Sequence, residues 1–391
     1  MATLNLPTPS RTMEAYTTGE PLDFSELTRG PHHFNRHALA AAHVVADPYA
    51  DADPWLEPAI DWDRTIAFRE YLWDLGLGVA EAMDTAQRGM GLAYPEAQEL
   101  IRRALAAGRA RAPHQVRIAC GAGTDHLMPG PGVTIDDVIR AYEEQVSFVE
   151  GEGGQVILMA SRALAKAAHG PGDYVTVYNR ILSQVSAPVI IHWLGEMFDP
   201  ALEGYWGSND HHMAMETCLD VIAAHADKVD GIKISLLSKE KEVAMRRKLP
   251  ATVRMYTGDD FNYAELIAGD EEGHSDALLG IFDAIAPAAS AALGALAEGS
   301  DNRFFDILAP TVPLSRHIFG EPTRFYKTGV VFIAYLNGLQ DHFTMVGGQQ
   351  SARSALHLAE LFRLADKARI LRDPDEAARR MTNVLSVHGM A

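Results

Sequence analysis

The chain has 391 residues, with 34 basic against 52 acidic side chains and a formal net charge of −18. This negative charge argues against binding to nucleic acid or to an anionic membrane surface. The two cysteines, Cys120 and Cys218, have neither zinc-finger nor redox spacing, and the first residues lack the apolar stretch of a signal peptide. We therefore expect a cytoplasmic protein without disulfides.

Residues 1–36 are mixed in composition and predict an arm lying over the surface. Eight short apolar runs then follow at fairly regular intervals, and each is predicted to be a strand. The runs are Ala38–Val45, Gly76–Met83, Val116–Cys120, Val156–Ala160, Val189–Trp193, Gly231–Ile234, Val253–Tyr256 and Ala277–Ile281. Segments with helical period lie between most of them: Arg64–Leu75, Pro95–Ala107, Thr134–Glu150, Asp173–Val185 and Met213–Ala226.

Alternating strands and helices, with strands apolar enough to be buried on both faces, predict a parallel (β/α)8 TIM barrel over residues 37–287. Beyond it the pattern is mainly helical, which predicts a C-terminal helical extension, residues 288–391, packed on the barrel. A doubly wound open sheet is the alternative. No Gly-x-Gly-x-x-Gly turn follows the first strand, which argues against a dinucleotide-binding version of that alternative.

A lysine in an apolar strand is the most informative single residue. Lys233 ends the run Gly231-Ile232-Lys233, and the carboxyl ends of barrel strands are where active sites form. Burial there would lower the pKa of the amine toward neutrality, and a neutral amine can form a Schiff base with a ketone or aldehyde. The alternative is a partly buried lysine paired with a carboxylate such as Asp259.

Two segments resemble a known superfamily. Asp230-Gly231-Ile232-Lys233, followed by Tyr256-Thr257-Gly258-Asp259-Asp260, is similar to the sixth and seventh strands of the dihydrodipicolinate synthase and N-acetylneuraminate lyase superfamily, which are Schiff-base (β/α)8 enzymes. Further matches are Asp63-Arg64, Gly121-Ala122-Gly123 and Gly320-Glu321-Pro322. The resemblance implies that Lys233 is the Schiff-base lysine, that no cofactor is needed, and that the protein is a homo-oligomer, either a dimer or a tetramer.

The departures from the superfamily bear on the substrate. Members that use pyruvate end the second strand with Gly-Thr-Thr-Gly-Glu, whereas this chain has Ala82-Met83-Asp84-Thr85-Ala86-Gln87. A carboxylate at Asp84 would repel a substrate carboxylate by about 1 to 4 kcal/mol at effective dielectric constants of roughly 80 to 20. His192 stands where the family has a proton-shuttling tyrosine, and Glu196-Met197 where some relatives have an arginine. Histidine can also shuttle protons near neutral pH.

We therefore predict a Schiff-base lyase of the aldolase or dehydratase type, acting on a small carbonyl compound such as a keto-sugar or polyol derivative rather than pyruvate. Lys233 and His192 are the predicted catalytic residues. The predicted substrate-binding residues are Asp84, Thr85, Arg162, Glu196, Asp259 and Asp260. Arg162 is the objection to a neutral substrate, since its guanidinium would provide an anion site.

Two other functions are open. The first is a divalent-metal isomerase or aldolase, with donors among Asp84, Asp125, His126, His192, Glu196, His211 and His212. The second is a non-catalytic barrel that binds a ligand. Residues 198–209, which include Tyr205 and Trp206, predict a lid over the active site; the alternatives are a packing insertion or a subunit contact.

Overall fold

The protein is described here from a computed structural model, covering residues 1–30, 32–111 and 116–390. Eight parallel strands close into a barrel in chain order, with the last strand pairing with the first, and this confirms the (β/α)8 prediction. A two-stranded antiparallel hairpin precedes the barrel. The strands are β1 (Thr3–Pro7), β2 (Met13–Thr17), β3 (Ala38–Ala41), β4 (Gly78–Glu81), β5 (Ile118–Ala122), β6 (Gln155–Leu158), β7 (Val189–Leu194), β8 (Val229–Ser235), β9 (Arg254–Thr257) and β10 (Asp276–Leu279).

Helices follow the strands and then continue to the C-terminus. They are α1 (Phe24–Leu27), α2 (Trp62–Asp74), α3 (Tyr94–Ala110), α4 (Ile135–Gly151), α5 (Arg162–Ala167), α6 (Pro171–Leu182), α7 (His211–Ala224), α8 (Lys239–Arg246), α9 (Tyr263–Ala268), α10 (Ile281–Ala284), α11 (Ala286–Ala297), α12 (Asp301–Leu308), α13 (Val312–Ile318), α14 (Tyr326–Leu336), α15 (Ala355–Lys367) and α16 (Pro374–Val387). None of the helices in the described ranges is long and apolar enough to cross a membrane.

The predicted elements differ from the observed ones mainly in length. The first predicted strand runs to Val45, but β3 ends at Ala41. Just beyond it the His43 N–H donates to the Asp283 carboxylate at 2.7 Å, so the backbone leaves the sheet there although it stays buried. The helices α5, α8 and α9 have six to eight residues each, too few for a hydrophobic period to show in the sequence.

The barrel interior is a separate apolar core. Side chains alternate between the two faces of each strand, so every second residue points inward. The interior cluster comprises Leu39, Ala41, Ala80, Met83, Ala119, Ile157, Met159, Ile190, Tyr256 and Leu278. Ile190 on β7 and Tyr256 on β9 belong to this inward-facing cluster. The residues two positions later, His192 and Gly258, therefore also face the barrel interior, near its carboxyl end.

A buried ion pair supports the turn after β4. Arg69 on α2 donates from Nε and Nη2 to the two carboxylate oxygens of Glu81, at 2.9 and 2.8 Å, and neither side chain is exposed. Arg69 also donates to the carbonyl oxygen of His43, while Glu81 accepts the Ala82 N–H at 2.9 Å. The pair therefore joins α2, the residues after β3 and the start of the turn that carries Asp84.

The N-terminal hairpin is fastened to the C-terminal helices. The Tyr16 hydroxyl donates to the Asp366 carboxylate on α15 at 2.7 Å, and the Gly19 N–H donates to the same group at 3.0 Å. Beneath it, every residue of α14 is buried. The C-terminal helices thus fold back along the barrel and bring the start of α14, Tyr326 and Lys327, to its mouth.

Candidate active site

Lys233 lies on the inward face of β8, between Gly231 and Ser235. Its neighbours Ile232 and Ile234 face the helices instead. The lysine is only 7 % exposed, and burial lowers the pKa of its amine, an effect that the charges of Asp260 and Asp84 partly offset. Both carboxylates act on the amine through space, with no hydrogen bond to it. The site therefore holds an amine that is easier to deprotonate than an exposed lysine.

Gly258 provides the room for this side chain. A Cβ atom at Gly258 would lie 2.7 Å from Cε of Lys233 and 2.6 Å from the carbonyl oxygen of Ile234. Real carbon atoms do not approach this closely, so a larger residue would displace the lysine. The two halves of the sequence motif, Gly-Ile-Lys and Gly-Asp-Asp, are therefore in direct contact in the fold.

His192 on β7 is the residue beside Lys233 in the sheet register. Its Nε2 lies 3.2 Å from the Ser235 hydroxyl, and its buried Nδ1 has no hydrogen-bond partner among the described residues. Burial, with a smaller contribution from the Lys233 charge, holds the pKa of the imidazole well below its usual value. His192 is thus a neutral imidazole near neutral pH.

The two acids after β9 have different surroundings. Asp259 accepts the backbone N–H groups of Phe261 and Asn262 at 2.9 and 3.1 Å, and its other oxygen accepts the Asn262 amide at 2.8 Å. The prediction that Asp259 binds substrate does not fit this arrangement, because both oxygens hold its own loop together. The alternative pairing of Asp259 with Lys233 is not formed either.

Asp260 is the acid that faces the amine. It accepts the Ile281 N–H at 2.9 Å and is 4 % exposed. Burial raises its pKa to about 7, against the opposing effects of the Ile281 N–H and the Lys233 charge. Near neutral pH it is therefore poised to exchange a proton with groups beside Lys233.

Asp84 and Thr85 form a short turn after β4. Asp84 is half-buried and lines the two cavities described below, whereas Thr85 is buried. The Thr85 hydroxyl lies 2.8 Å from the hydroxyl of Tyr326 at the start of α14. Burial and the charge of Asp84 raise the pKa of Tyr326 well above its usual value, so the phenol keeps its proton.

Two adjoining cavities open at this end of the barrel. The main cavity, about 270 Å³, lies between the ends of β4 to β7 and is lined by residues that include Asp84, Thr124, Met159, Arg162 and His192. The side cavity, about 260 Å³, extends toward the start of α14; besides Asp84 and Arg162 its lining includes Phe198, Arg324, Tyr326 and Lys327. Asp84 and Arg162 therefore stand where the two cavities meet.

Of the two remaining predicted residues, only Arg162 lies at the cavities. It is the first residue of α5, and its Nε donates to the Asp199 carboxylate. Glu196 is exposed and lines neither cavity, so the structure does not support its predicted role in substrate binding. The turn at Gly195 directs it away from the barrel mouth toward His211, whose pKa its charge affects.

Sequence reasoning missed four residues at the cavities: Arg88, Arg324, Tyr326 and Lys327. Arg88 is buried and uses all its donors within the protein, two of them on Asp125. Lys327 is 5 % exposed, and burial lowers its pKa to about 8. One signal could have found it: like Lys233, it is a single charge in an otherwise apolar element, here Tyr326–Leu336.

The donors proposed for the metal alternative do not come together. Within the described ranges, no three His, Cys, Asp or Glu side chains converge as a possible metal site. Asp125 is bound to Arg88, His126 stacks on Tyr94, and His211 stacks on Trp193. Asp125 and His126 both contact the Gln145 amide after β5, whereas His211 lies apart at the start of α7.

The segment 198–209 is a packing insertion over most of its length, and the lid prediction is wrong for its aromatic residues. Trp206 is fully buried, with its ring 4.4 Å from that of Tyr178 and 6.3 Å from that of Trp193. Tyr205 is also buried, and its hydroxyl accepts the Ser161 N–H at 3.0 Å. Only the beginning of the segment, at Phe198, Asp199 and Leu202, reaches the cavities.

Solved structures confirm the resemblance at the level of fold. Dihydrodipicolinate synthase from Oceanobacillus iheyensis superposes with a TM-score of 0.62 and 16 % identity, covering 87 % of this chain and 98 % of that one. The Acinetobacter baumannii enzyme, solved in complex with pyruvate, superposes with a TM-score of 0.60 and 15 % identity, covering 85 % of this chain and 98 % of that one. The Aquifex aeolicus enzyme superposes with a TM-score of 0.59 and 12 % identity, covering 91 % of this chain and 98 % of that one.

Sequence comparisons assign the chain to a family. No curated protein matches it. A family model described as "Protein of unknown function (DUF993)" matches residues 4–390. With nearly the whole length matched, the chain belongs to the DUF993 family.

Proposed function

We propose that the protein is a Schiff-base-forming lyase of the class I aldolase type, in which Lys233 is the amine. The observation that carries the proposal is the buried, inward-facing Lys233, without a hydrogen-bonded carboxylate, beside a neutral His192 at the carboxyl end of the barrel. Such an amine reacts with a carbonyl carbon once it has lost its proton. The fold shared with dihydrodipicolinate synthases supports the same chemistry.

In the proposed reaction the Lys233 nitrogen attacks the carbonyl carbon of the substrate. The carbonyl oxygen takes up protons and leaves as water, which gives an iminium. For C–C cleavage, the iminium accepts the electron pair of the neighbouring C–C bond while the hydroxyl on the departing carbon loses its proton and becomes a carbonyl; protonation of the enamine left on Lys233 then restores an iminium. For C–O cleavage, a carbon-bound proton next to the iminium is lost first, and the resulting enamine expels the neighbouring hydroxyl, which leaves as water after taking up a proton. Hydrolysis of the iminium then releases the product and restores the amine.

Proton transfers in this scheme fall to His192 and Tyr326. The free Nδ1 of His192 accepts a proton, and the Tyr326 hydroxyl, joined to that of Thr85, donates one. Asp260, with a pKa of about 7, serves the carbinolamine step. Asp84 and Arg162, at the junction of the cavities, orient the substrate.

The substrate class in this proposal is a hydroxylated carbonyl compound, such as a keto-sugar or polyol derivative. Asp84 supports it, because this carboxylate accepts hydrogen bonds from hydroxyl groups and repels a carboxylate beside the reacting carbon. Assembly as a dimer or tetramer and a cytoplasmic location belong to the same proposal.

Trapping the iminium tests the proposal. The full chain is incubated with a panel of keto-sugars and keto-acids and reduced with borohydride, and the adduct is mapped by mass spectrometry. We expect it on the peptide that carries Lys233, and we expect Lys233→Arg to abolish it, since arginine keeps the charge but forms no imine.

Three outcomes contradict the proposal. An adduct on the Lys327 peptide would move the reacting amine to the other buried lysine. Turnover that survives Lys233→Arg and disappears with a chelator would favour the metal alternative. Absence of an adduct with every probe, together with reversible binding, would favour a non-catalytic barrel.

A further inference from the structure

The side cavity has a charge opposite to that of the whole protein. The chain carries −18, yet the ionisable residues lining this cavity are four basic side chains against two acidic ones, Asp84 and Asp199. Arg88 is neutralised by Asp125, and Arg162 is paired with Asp199. The charges that remain in the lining are two cations, Arg324 and Lys327, against the one carboxylate of Asp84.

Neither of these two groups forms an ion pair with another described residue. Arg324 is exposed, and its guanidinium lies 4.8 Å from the centre of the Phe325 ring. Lys327 donates to the carbonyl oxygen of Arg324 at 3.0 Å, and its Nζ contacts the Met90 sulfur at 3.4 Å. Its Nζ also lies 4.7 Å from the centre of the Tyr326 ring. An ammonium group has three donors, and among the described residues this one has a single oxygen acceptor.

A buried charge that lacks a counter-ion is costly unless something else binds it. Asp84 and Asp199 act on Lys327 only through space, so its unused donors, like those of Arg324, suit an anionic ligand. The cavity, about 260 Å³, has room for a carboxylate or phosphate with part of the molecule that carries it.

The side cavity is also coupled to the proposed reacting amine. Asp84 lines both cavities, and its charge acts on Lys233 as well as on Lys327. Lys233 itself is not among the residues lining either cavity, so Asp84 is the link between the side cavity and the proposed reacting amine.

We propose that the side cavity binds an anionic group of the substrate, a carboxylate or a phosphate, through Lys327 and Arg324. The substrate is then a hydroxylated carbonyl compound whose acidic end lies away from the reacting carbonyl. The part of this inference that concerns the carbonyl rests on the proposed function, whereas the anion site stands on its own contacts.

Calorimetric titration of the full chain at low ionic strength tests the anion site, because salt screens such charges. The probes are malonate and inorganic phosphate, which separate a carboxylate site from a phosphate site. We expect one equivalent of at least one probe to bind. Lys327→Met and Arg324→Gln should each weaken binding by about ten-fold, as expected for the loss of one charge-assisted hydrogen bond.

Lys166→Met is the matched control, since Lys166 is exposed and lines neither cavity. Its affinity for the probe should equal that of the wild type. Arg324 is exposed, so the Arg324→Gln variant should fold and can still be titrated if the buried Lys327→Met variant does not fold. Failure of both probes to bind, or equal binding by wild type and Arg324→Gln, would overturn the site.

A second measurement separates this site from the Schiff-base chemistry. Cyanoborohydride trapping on Lys233 is compared for dihydroxyacetone and dihydroxyacetone phosphate, and for D-fructose and 5-keto-D-gluconate. We expect the anionic member of at least one pair to be trapped at lower concentration, and Lys327→Met to remove the difference. Anion binding without any adduct would reject only the lyase proposal. Adducts that show no preference for the anionic member of either pair would reject only the anion site.

Discussion

The hydroxyls of Tyr326 and Thr85 lie 2.8 Å apart although 241 positions separate the residues in the chain. Gly280 at the end of β10 permits the approach, because a Cβ atom there would lie 3.2 Å from the Tyr326 ring and 3.4 Å from the Thr85 oxygen. The C-terminal helices therefore contribute a phenol to a barrel mouth that the superfamily resemblance assigns to strand ends alone.

Tyr326→Phe should slow proton transfer without preventing imine formation. The ring remains stacked on Phe319, at a centroid distance of 4.4 Å, so only the hydroxyl is lost. We expect deuterium exchange next to the carbonyl of dihydroxyacetone, followed by NMR in D2O, to fall by about 10²- to 10⁴-fold. Borohydride trapping on Lys233 should continue.

Tyr263→Phe is the control for that variant. The Tyr263 hydroxyl is also buried and lies 2.6 Å from Thr311, but it lines neither cavity. It should lower stability by about 1 kcal/mol and leave the exchange rate unchanged. Equal exchange rates in wild type and Tyr326→Phe would remove the phenol from the mechanism.

Gly258→Ala should displace the Lys233 side chain. The added methyl would collide with Cε of the lysine and with the Ile234 carbonyl, so we expect about 1 to 3 kcal/mol of destabilisation and loss of the trapped adduct. Urea unfolding and mass spectrometry provide the two readouts. Gly172→Ala, at a helical position with open space around it, should retain the adduct; a normal adduct in Gly258→Ala would contradict the packing argument.

The Arg69–Glu81 pair should matter more for folding than any surface ion pair. Glu81→Ala leaves a buried guanidinium without its carboxylate, which we expect to cost about 3 to 5 kcal/mol in the free energy of unfolding. Glu99→Ala breaks an exposed pair with Arg103 and should cost about 0 to 1 kcal/mol. Comparable losses of unfolding free energy in the two variants, measured by urea unfolding, would contradict the larger contribution expected of the buried pair.

Glu242 should make stability depend on pH. Burial raises its pKa to about 8, and its oxygens accept the Ser275 and Thr257 hydroxyls at 2.7 and 2.9 Å. Because the folded-state pKa is the higher one, the stabilisation is complete below the unfolded pKa near 4.5 and is lost as the pH rises through 8. We expect up to about 1.4 kcal/mol per pH unit from this group.

The measurement is the difference in unfolding free energy between wild type and Glu242→Gln from pH 5 to pH 9. The glutamine is neutral throughout, so the unfolding free energy of the variant should rise relative to that of the wild type as the pH rises. Subtraction cancels Asp260 and Lys327, which also titrate in this range, with pKa values of about 7 and about 8. A difference that does not change with pH would mean that Glu242 ionises normally.

Malonate binding should weaken as the pH rises through about 8. Burial lowers the pKa of Lys327 to that value, and only the protonated amine attracts an anion, so binding is strongest below it. Malonate itself stays fully ionised over this range. Lys327→Arg should bind with little pH dependence, because the guanidinium remains charged. An affinity for the wild type that is flat between pH 7 and pH 9 would contradict the role of Lys327.

The sequence by itself was enough to predict the barrel and to single out Lys233 on its inward face. Parallel strands buried on both faces must be apolar along their length, so the eight runs are visible without a structure. Lys233 lies on β8 and Gly258 directly follows β9, and these two strands are neighbours both in the sheet and along the chain. For this reason a short sequence motif includes both residues.

The rest of the site depends on contacts between distant segments, and these only the tertiary structure decided. Tyr326 and Lys327 reach the mouth because α14, buried along its whole length, must pack against the other helices. The same packing buries Trp206, which a sequence cannot distinguish from an aromatic lid. The charge of the side cavity is likewise a sum over residues that follow β4, β6 and β7 and residues at the start of α14. It exists only once barrel closure and helix packing bring these segments together.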